Sequence, residues 1–192
     1  MLDLATASLK RSLAIVQNFA DLGLTQVVKA AETIAQSLAK GGKLLIFGNG
    51  GSAADAQHMA GEMVNRFLLE RPGLPAIALT TDTSVLTAIG NDYSFYEIFV
   101  KQVKALGRKG DVALGISTSG RSPNVVKALA AARGKGITNL GLTGCEGGDM
   151  GPLCDVLICA PSDEIPRIQE VHALAVHILC ELVEIQLFGR TR

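Results

Sequence analysis

The sequence predicts an open α/β sheet with helices on both faces, and three observations predict it. Five short apolar runs recur along the chain, each ending in Gly, Ser, Thr, Asp or Pro, and helical segments fill the gaps between them. The runs are apolar throughout rather than alternating, as parallel strands buried on both faces must be.

Ahead of the first strand, residues Ser8 to Lys40 place Leu9, Leu13, Val16 and Phe19, then Val27, Val28, Ala31, Ile34, Ala35 and Leu38, at helical spacing. The break at Asp21-Leu22-Gly23 divides this stretch into two helices with a short joint. The strands follow at Lys43–Phe47, Ala76–Leu79, Val112–Ile116, Asn139–Leu142 and Val156–Cys159. Ala53–Phe67 reads as the helix after the first strand, Ser84–Leu86 and Phe95–Leu106 as helical after the second, Pro123–Gly134 after the third and Ile168–Phe188 after the fifth. No repeat, Pro-rich linker or low-complexity segment interrupts the chain. Its 192 residues are expected to form one domain, with residues 1–40 as a helical extension suited to subunit packing.

Eighteen Lys and Arg balance eighteen Asp and Glu, which argues against a nucleic-acid binder working by bulk charge. A charged fraction of only 19% and a mean hydropathy of +0.31 imply a surface rich in apolar or small residues, usual where a chain is covered by other subunits. With no run of about 18 consecutive apolar residues, no membrane span is expected. Asp3, Lys10, Arg11 and Gln17 interrupt the first twenty residues, which do not read as a signal peptide. Cys145, Cys154, Cys159 and Cys180 form no C-x-x-C pair and read as buried or incidental thiols of a reducing, cytoplasmic compartment.

Ligands of open α/β sheets bind beyond the carboxyl ends of strands, so the residues following each strand carry the functional reading. Gly48-Asn49-Gly50-Gly51-Ser52-Ala53 matches G-x-G-x-x-A before a helix, where backbone can approach a phosphate. A dinucleotide site would take Asp82 as its ribose-binding acid; a tight strand-to-helix turn without a ligand is the plainer alternative. The third strand runs into Ser117-Thr118-Ser119-Gly120-Arg121-Ser122-Pro123-Asn124, four hydroxyls at a helix N-terminus. This cradle suits a phosphomonoester, and the simpler alternative is an N-cap cluster. His58 and Glu62, four apart, face the same way and can hold a divalent metal or place a carboxylate beside an imidazole, unless they are merely a surface pair. The last helix adds Gln169, Glu170, His172 and His177, so all three histidines of the chain lie on two helices. Gln169 and His177 are separated by about 12 Å of helical rise and about 80° of rotation, a long reach to one ion. Asn91 and Asp92, after a bend at Ile89-Gly90, offer polar groups or an Asx turn.

Taken together, GNGGSAADAQHMAGEMVNRF (Gly48–Phe67), RPGLPAIAL (Arg71–Leu79), GND (Gly90–Asp92), GDVALGISTSGRSPNVVKAL (Gly110–Leu129), LTG (Leu142–Gly144) and RIQEVHALAVHIL (Arg167–Leu179) are specific. From the N-terminal helices to Phe188 the chain resembles the sugar isomerase (SIS) family, and within it the phosphoheptose isomerases. The resemblance implies a three-layer αβα sandwich, a homotetramer with interfacial active sites, and interconversion of D-sedoheptulose 7-phosphate with D-glycero-D-manno-heptose 7-phosphate on the way to activated heptose for lipopolysaccharide or other surface glycans.

By position, the resemblance also implies Glu62 as general base and His177 as general acid. His58, Glu62, Gln169 and His177 match the family's zinc ligands. Asn49, Gly50, Gly51, Ser52, Asn91, Asp92, Ser117, Thr118, Ser119, Ser122 and Gln169 match positions lining the sugar phosphate, and Arg66 one near the site. Pro166 stands where some relatives carry an Asp, whose role would pass to Asp163 or Glu164 or be lost. The family also contains non-catalytic relatives that bind the replication initiator DnaA, but they lack the acid at the Glu62 position and the imidazole at the His177 position. A nicotinamide-dependent oxidoreductase rests on Gly48–Ala53 alone.

Overall fold

A computed structural model describes residues 1–189. It contains five parallel strands, β1 (Leu44–Gly48), β2 (Ala76–Ala78), β3 (Val112–Ser117), β4 (Thr138–Thr143) and β5 (Val156–Cys159), in the order β2-β1-β3-β4-β5. The helices are α1 (Leu2–Leu22), α2 (Leu24–Ala39), α3 (Gly51–Val64), α4 (Thr83–Asp92), α5 (Ile98–Leu106), α6 (Pro123–Gly134) and α7 (Ile165–Phe188).

The central strands are buried on both faces, and successive residues serve opposite layers. Leu44 and Ile46 join a core with α1, α2, α3 and α7, while Leu45 and Phe47 join a second core with α5 and α6. The period-2 geometry of a strand makes that division, which is why the runs had to be apolar throughout. In α2, the buried Val27, Ala30, Ala31, Ile34 and Ala35 recur at helical spacing and pack toward α7.

Several expected boundaries move, for physical reasons. The helix expected only over Ser84–Leu86 runs from Thr83 to Asp92, because the Asp82 carboxylate caps it by accepting from Val85 N–H at 2.9 Å. Asp82 is therefore a helix cap rather than a ribose ligand. No bend occurs at Ile89-Gly90: Asn91 and Asp92 close α4 itself. α3 ends at Val64, so Phe67 lies in the following loop. The last helix begins at Ile165 rather than Ile168, with Pro166 in its first turn, where its missing N–H costs nothing. A 3₁₀ turn at Gly148–Leu153 was not expected from the sequence.

The expectation that no segment is apolar enough for a membrane also needs correction. α7 meets that test by length and by a mean hydropathy of 1.6, which counting consecutive apolar residues overlooks. Its apolarity has a different use, since Ile168, Val171, Ala175, Val176, Leu179 and Val183 are buried in the core.

His172, on α7, is fully buried, and its Nε2–H donates to the Thr143 carbonyl at 3.1 Å while Nδ1 has no partner. Burial lowers its pKa from 6.5 to about 4, although the Thr143 hydrogen bond opposes this. Between these values the unfolded chain takes up a proton that the folded chain refuses. Stability is therefore full above pH 6.5 and falls by about 3 kcal/mol as pH drops through this window. Urea unfolding from pH 7.5 to 4 should show this slope in the parent and a shallower one in His172→Gln; equal slopes would remove His172 as its source.

Candidate active site

The chain leaves β1 outward to β2 and leaves β3 in the opposite direction to β4, so the carboxyl ends of β1 and β3 flank a crevice. The two motif loops begin there. Gly50 caps α3 at φ 55°, a left-handed backbone that strains any side chain. A Cβ on Gly51 would collide with the Gln169 amide nitrogen, so the last helix lays Gln169 against the first turn of α3. Ser52 is buried beside Gly48.

Asn49 and Asn124 exchange two side-chain amide hydrogen bonds, at 2.9 and 2.8 Å, which clasp the glycine loop to the start of α6. In the hydroxyl loop Ser117 Oγ lies 2.9 Å from Ser122 Oγ and 3.4 Å from Ser119 Oγ, and Ser119 Oγ accepts from Arg121 N–H. Ser122 holds the N-cap position of α6 but makes no side-chain cap bond. The hydroxyls face one another rather than the helix backbone, which argues against a simple cap cluster. Thr118 and Ser119 line a cavity of about 280 Å³ with Ser162, Asp163 and Ile168. Of the two carboxylates proposed to replace the one absent at Pro166, Asp163 lines this cavity, while Glu164 pairs with Arg11 at 3.6 Å on the surface.

His58 Nε2 lies 3.3 Å from Glu62 Oε1 on the next turn of α3 and 3.3 Å from His177 Nε2 on α7. The two imidazoles meet edge to face, with ring centres 4.9 Å apart. Donors about 2.0–2.1 Å from a tetrahedral zinc stand about 3.3 Å from each other, so His58 sits at the common corner of two edges of the right length. The nitrogen and oxygen donors suit zinc in type as well. Among the described residues no three His, Cys, Asp or Glu side chains form a ready-made cluster, and Gln169 lies toward Gly51. The nearby Cys180 thiol is pushed up to about 12 by burial and by Glu62 and Glu184, against the Arg71 guanidinium, so it stays neutral.

Asn91 and Asp92 are exposed, with Asn91 Nδ2 donating to Asp92 Oδ1 at 2.9 Å. Arg66 faces Glu70 at 3.6 Å. Neither group is drawn toward His58 within this chain.

Four further residues hold the site together, and sequence reading missed them. The Phe67 ring stacks on His177, with centres 5.6 Å apart and planes at 28°. Arg71 and Glu184 form a fully buried ion pair at 2.8 Å. Asn124 clasps the glycine loop. Phe67, Arg71 and Asn124 lie within the motif segments quoted above but no spacing marks their role, and Glu184 is legible only as one of two acids, with Glu181, in the apolar final turns of a helix. On α3, Asp55 Oδ2 is buried without a partner, and burial raises the Asp55 pKa against the opposing effect of His58.

The sequence profile of the SIS domain matches residues 9–144. A phosphoheptose isomerase of Burkholderia pseudomallei (strain 1710b) is 58% identical over 167 residues, covering 87% of this chain and 85% of the relative. One from Trichlorobacter lovleyi is 55% identical over 181 residues, covering 94% and 92%. The solved structure of phosphoheptose isomerase GmhA from Neisseria gonorrhoeae superposes with a TM-score of 0.91 at 45% identity, covering 95% of this chain and 98% of that one. With its sheet order, its paired loops and these relatives, the chain belongs to the phosphoheptose isomerases, enzymes of the SIS-domain family.

Proposed function

We propose that this enzyme interconverts D-sedoheptulose 7-phosphate and D-glycero-D-manno-heptose 7-phosphate through an enediolate, as the first step toward activated heptose for lipopolysaccharide or other surface glycans. The observation that carries the reading is the convergence of Glu62 and His177, from two different helices, on His58. Aldose–ketose conversion moves a proton between C1 and C2 and exchanges protons on their oxygens, so it needs a base over the carbons and a donor over the oxygens. Glu62 takes and returns the carbon proton, and His177 delivers and recovers the oxygen proton.

His58, Glu62 and His177, with Gln169 two turns earlier on the helix of His177, are the residues that would hold one zinc ion. Bound there, zinc supplies Lewis-acid polarisation of the substrate oxygens. A cation stabilises the ionised form of a carboxylate, so Glu62 works as a base only when loosely held.

The Ser117–Ser122 loop, Asn49–Ser52 and the α3 N-terminus bind the phosphate and fix the register of the seven-carbon chain at the reacting carbons. Asp163 supplies a carboxylate at the same cavity in place of the one lost at Pro166. Asn91, Asp92 and Arg66 reach substrate only where a neighbouring copy completes the site. We assign the chain as one domain whose exposed Leu2, Leu4, Leu9 and Leu13 on α1 pack in a homotetramer. The four free cysteines support a reducing, cytoplasmic setting, and the balanced charge supports neither nucleic-acid nor membrane partners.

NMR of the purified protein with sedoheptulose 7-phosphate in D₂O tests the reading. Heptose 7-phosphate formation with deuterium entering at the isomerised carbon is expected. No turnover and no exchange with zinc supplied would instead favour a non-catalytic role in binding a protein partner such as DnaA. Ser119→Ala should raise KM for the phosphorylated sugar about tenfold with little change in kcat, the signature of lost uniform binding. An unchanged KM would place the phosphate elsewhere.

A further inference from the structure

Glu184 has no part in the chemistry above, yet every acceptor position on it is used. Its Oε1 accepts from Phe67 N–H at 2.8 Å and Arg71 Nε at 2.8 Å, and its Oε2 from Leu68 and Leu69 N–H at 2.9 Å each. Three consecutive backbone N–H groups therefore close around one carboxylate. Burial pushes the Glu184 carboxyl up, but those N–H groups and Arg71 outweigh it and hold it below its ordinary value, so the group is an anion.

Arg71 extends the clamp in the other direction. Its Nη2 donates to the Glu62 carbonyl at 2.8 Å and its Nη1 to the Met63 carbonyl at 2.7 Å. Both carbonyls lie in the last turn of α3, where helical partners run out; that of Met63 also accepts from Leu74 N–H at 2.9 Å. One ion pair thus holds the turn that carries Glu62 and the loop that carries Phe67. Phe67 in turn lies on His177, which shares α7 with Glu184 two turns away, on nearly the same face. The contacts form a closed circuit: Glu184 to the loop, Phe67 to His177, and α7 back to Glu184.

We propose that Glu184, acting through Arg71 and Phe67, is a positioning residue for the isomerase: it fixes the Phe67 ring against the His177 imidazole and fixes the end of α3 that presents Glu62, so that base and acid keep one mutual geometry. Because the pair ties the loop at Phe67 to the last turn of α3, it supplies placement as well as stability. The proposal rests on the roles given above to Glu62 and His177.

The deciding variant is Phe67→Leu, which keeps the backbone N–H that Glu184 binds and leaves the ion pair intact. Glu184→Gln is the second. Two readouts are taken on the zinc-loaded protein: kcat and KM with sedoheptulose 7-phosphate, and the imidazole proton resonances of His177, assigned among only three histidines by single replacement. Phe67→Leu should lower kcat at least tenfold with KM within about twofold, because misplacing a reacting group by a fraction of an ångström is costly. The His177 resonances should lose the Phe67 ring-current shift, and Glu184→Gln, if folded by thermal melting, should move them in the same sense.

Parental kcat in Phe67→Leu beside an inactive His177→Ala overturns this inference and leaves the acid assignment standing. A kcat loss shared by both variants while the His177 resonances of Glu184→Gln stay in place also overturns it, since Glu184 would then act only on stability. Parental turnover in His177→Ala sinks the underlying assignment instead.

Discussion

Replacing Glu62 by Gln, or His177 by Ala, should lower kcat by about 10²–10⁴-fold, with far smaller changes in KM. That is the range general acid–base catalysis contributes, and it is the largest activity effect expected in this enzyme. Glu62→Gln preserves the volume and hydrogen-bonding length of the side chain while removing its capacity to take a proton from carbon. His177→Ala removes the imidazole that faces His58 Nε2 at 3.3 Å. If, as proposed, proton removal at carbon and proton delivery at oxygen belong to one enediolate-forming event, the double variant should be little worse than the poorer single one. Progress curves followed by NMR in D₂O measure all three. Retained deuterium exchange in Glu62→Gln would show that another group handles the carbon proton. Zinc content of the same preparations separates the roles: a Glu62→Gln protein with the parent's zinc content and no turnover locates the defect in proton transfer.

Arg71→Met should destabilise the fold by about 3–5 kcal/mol, the effect of leaving a buried charge without its partner. Both side chains are 1% exposed, so Glu184 has no route to water without opening the structure. In many proteins an apolar pair can replace a buried ion pair at little cost, and this one should not follow suit. Glu184 also satisfies the N–H groups of Phe67, Leu68 and Leu69, and Arg71 the carbonyl of Glu62, sharing that of Met63 with Leu74 N–H. Each buried group left unsatisfied costs about 1–3 kcal/mol, so an Arg71→Met/Glu184→Leu protein should remain destabilised. Urea denaturation gives the stability, and amide exchange of residues 67–69 should accelerate in the double variant. A double variant as stable as the parent would show that the loop finds other partners.

How much was legible beforehand follows from the range of each interaction. Strand ends were read within one residue because burial of the central strands on both faces writes an uninterrupted apolar run, and the edge strands, less buried, keep the same composition. The glycine and hydroxyl loops were legible because close backbone approach and anion cradling require small or hydroxylated residues at fixed offsets from a strand end. His58 and Glu62 could be paired from their spacing, since a single helix turn decides it. The extent of α4 was missed because one carboxylate, Asp82, turned an apparent loop into a capped helix.

By itself, the sequence determined the fold class, the order of its elements, the two loops at the crevice and, through its motifs, the family. Those properties are local or periodic, set by hydrophobic pattern and by residues a few positions apart. The resemblance implied that His58 and His177 share a site, and the tertiary structure brings them together across 119 positions of chain; only the structure decided that Phe67 covers His177, that Asn124 clasps Asn49, and that Glu184 and Arg71 close around the loop between them. Each of these joins distant segments through a single side chain, and a single side chain leaves no period to read; it acquires its partner only when the sheet and its helices have packed.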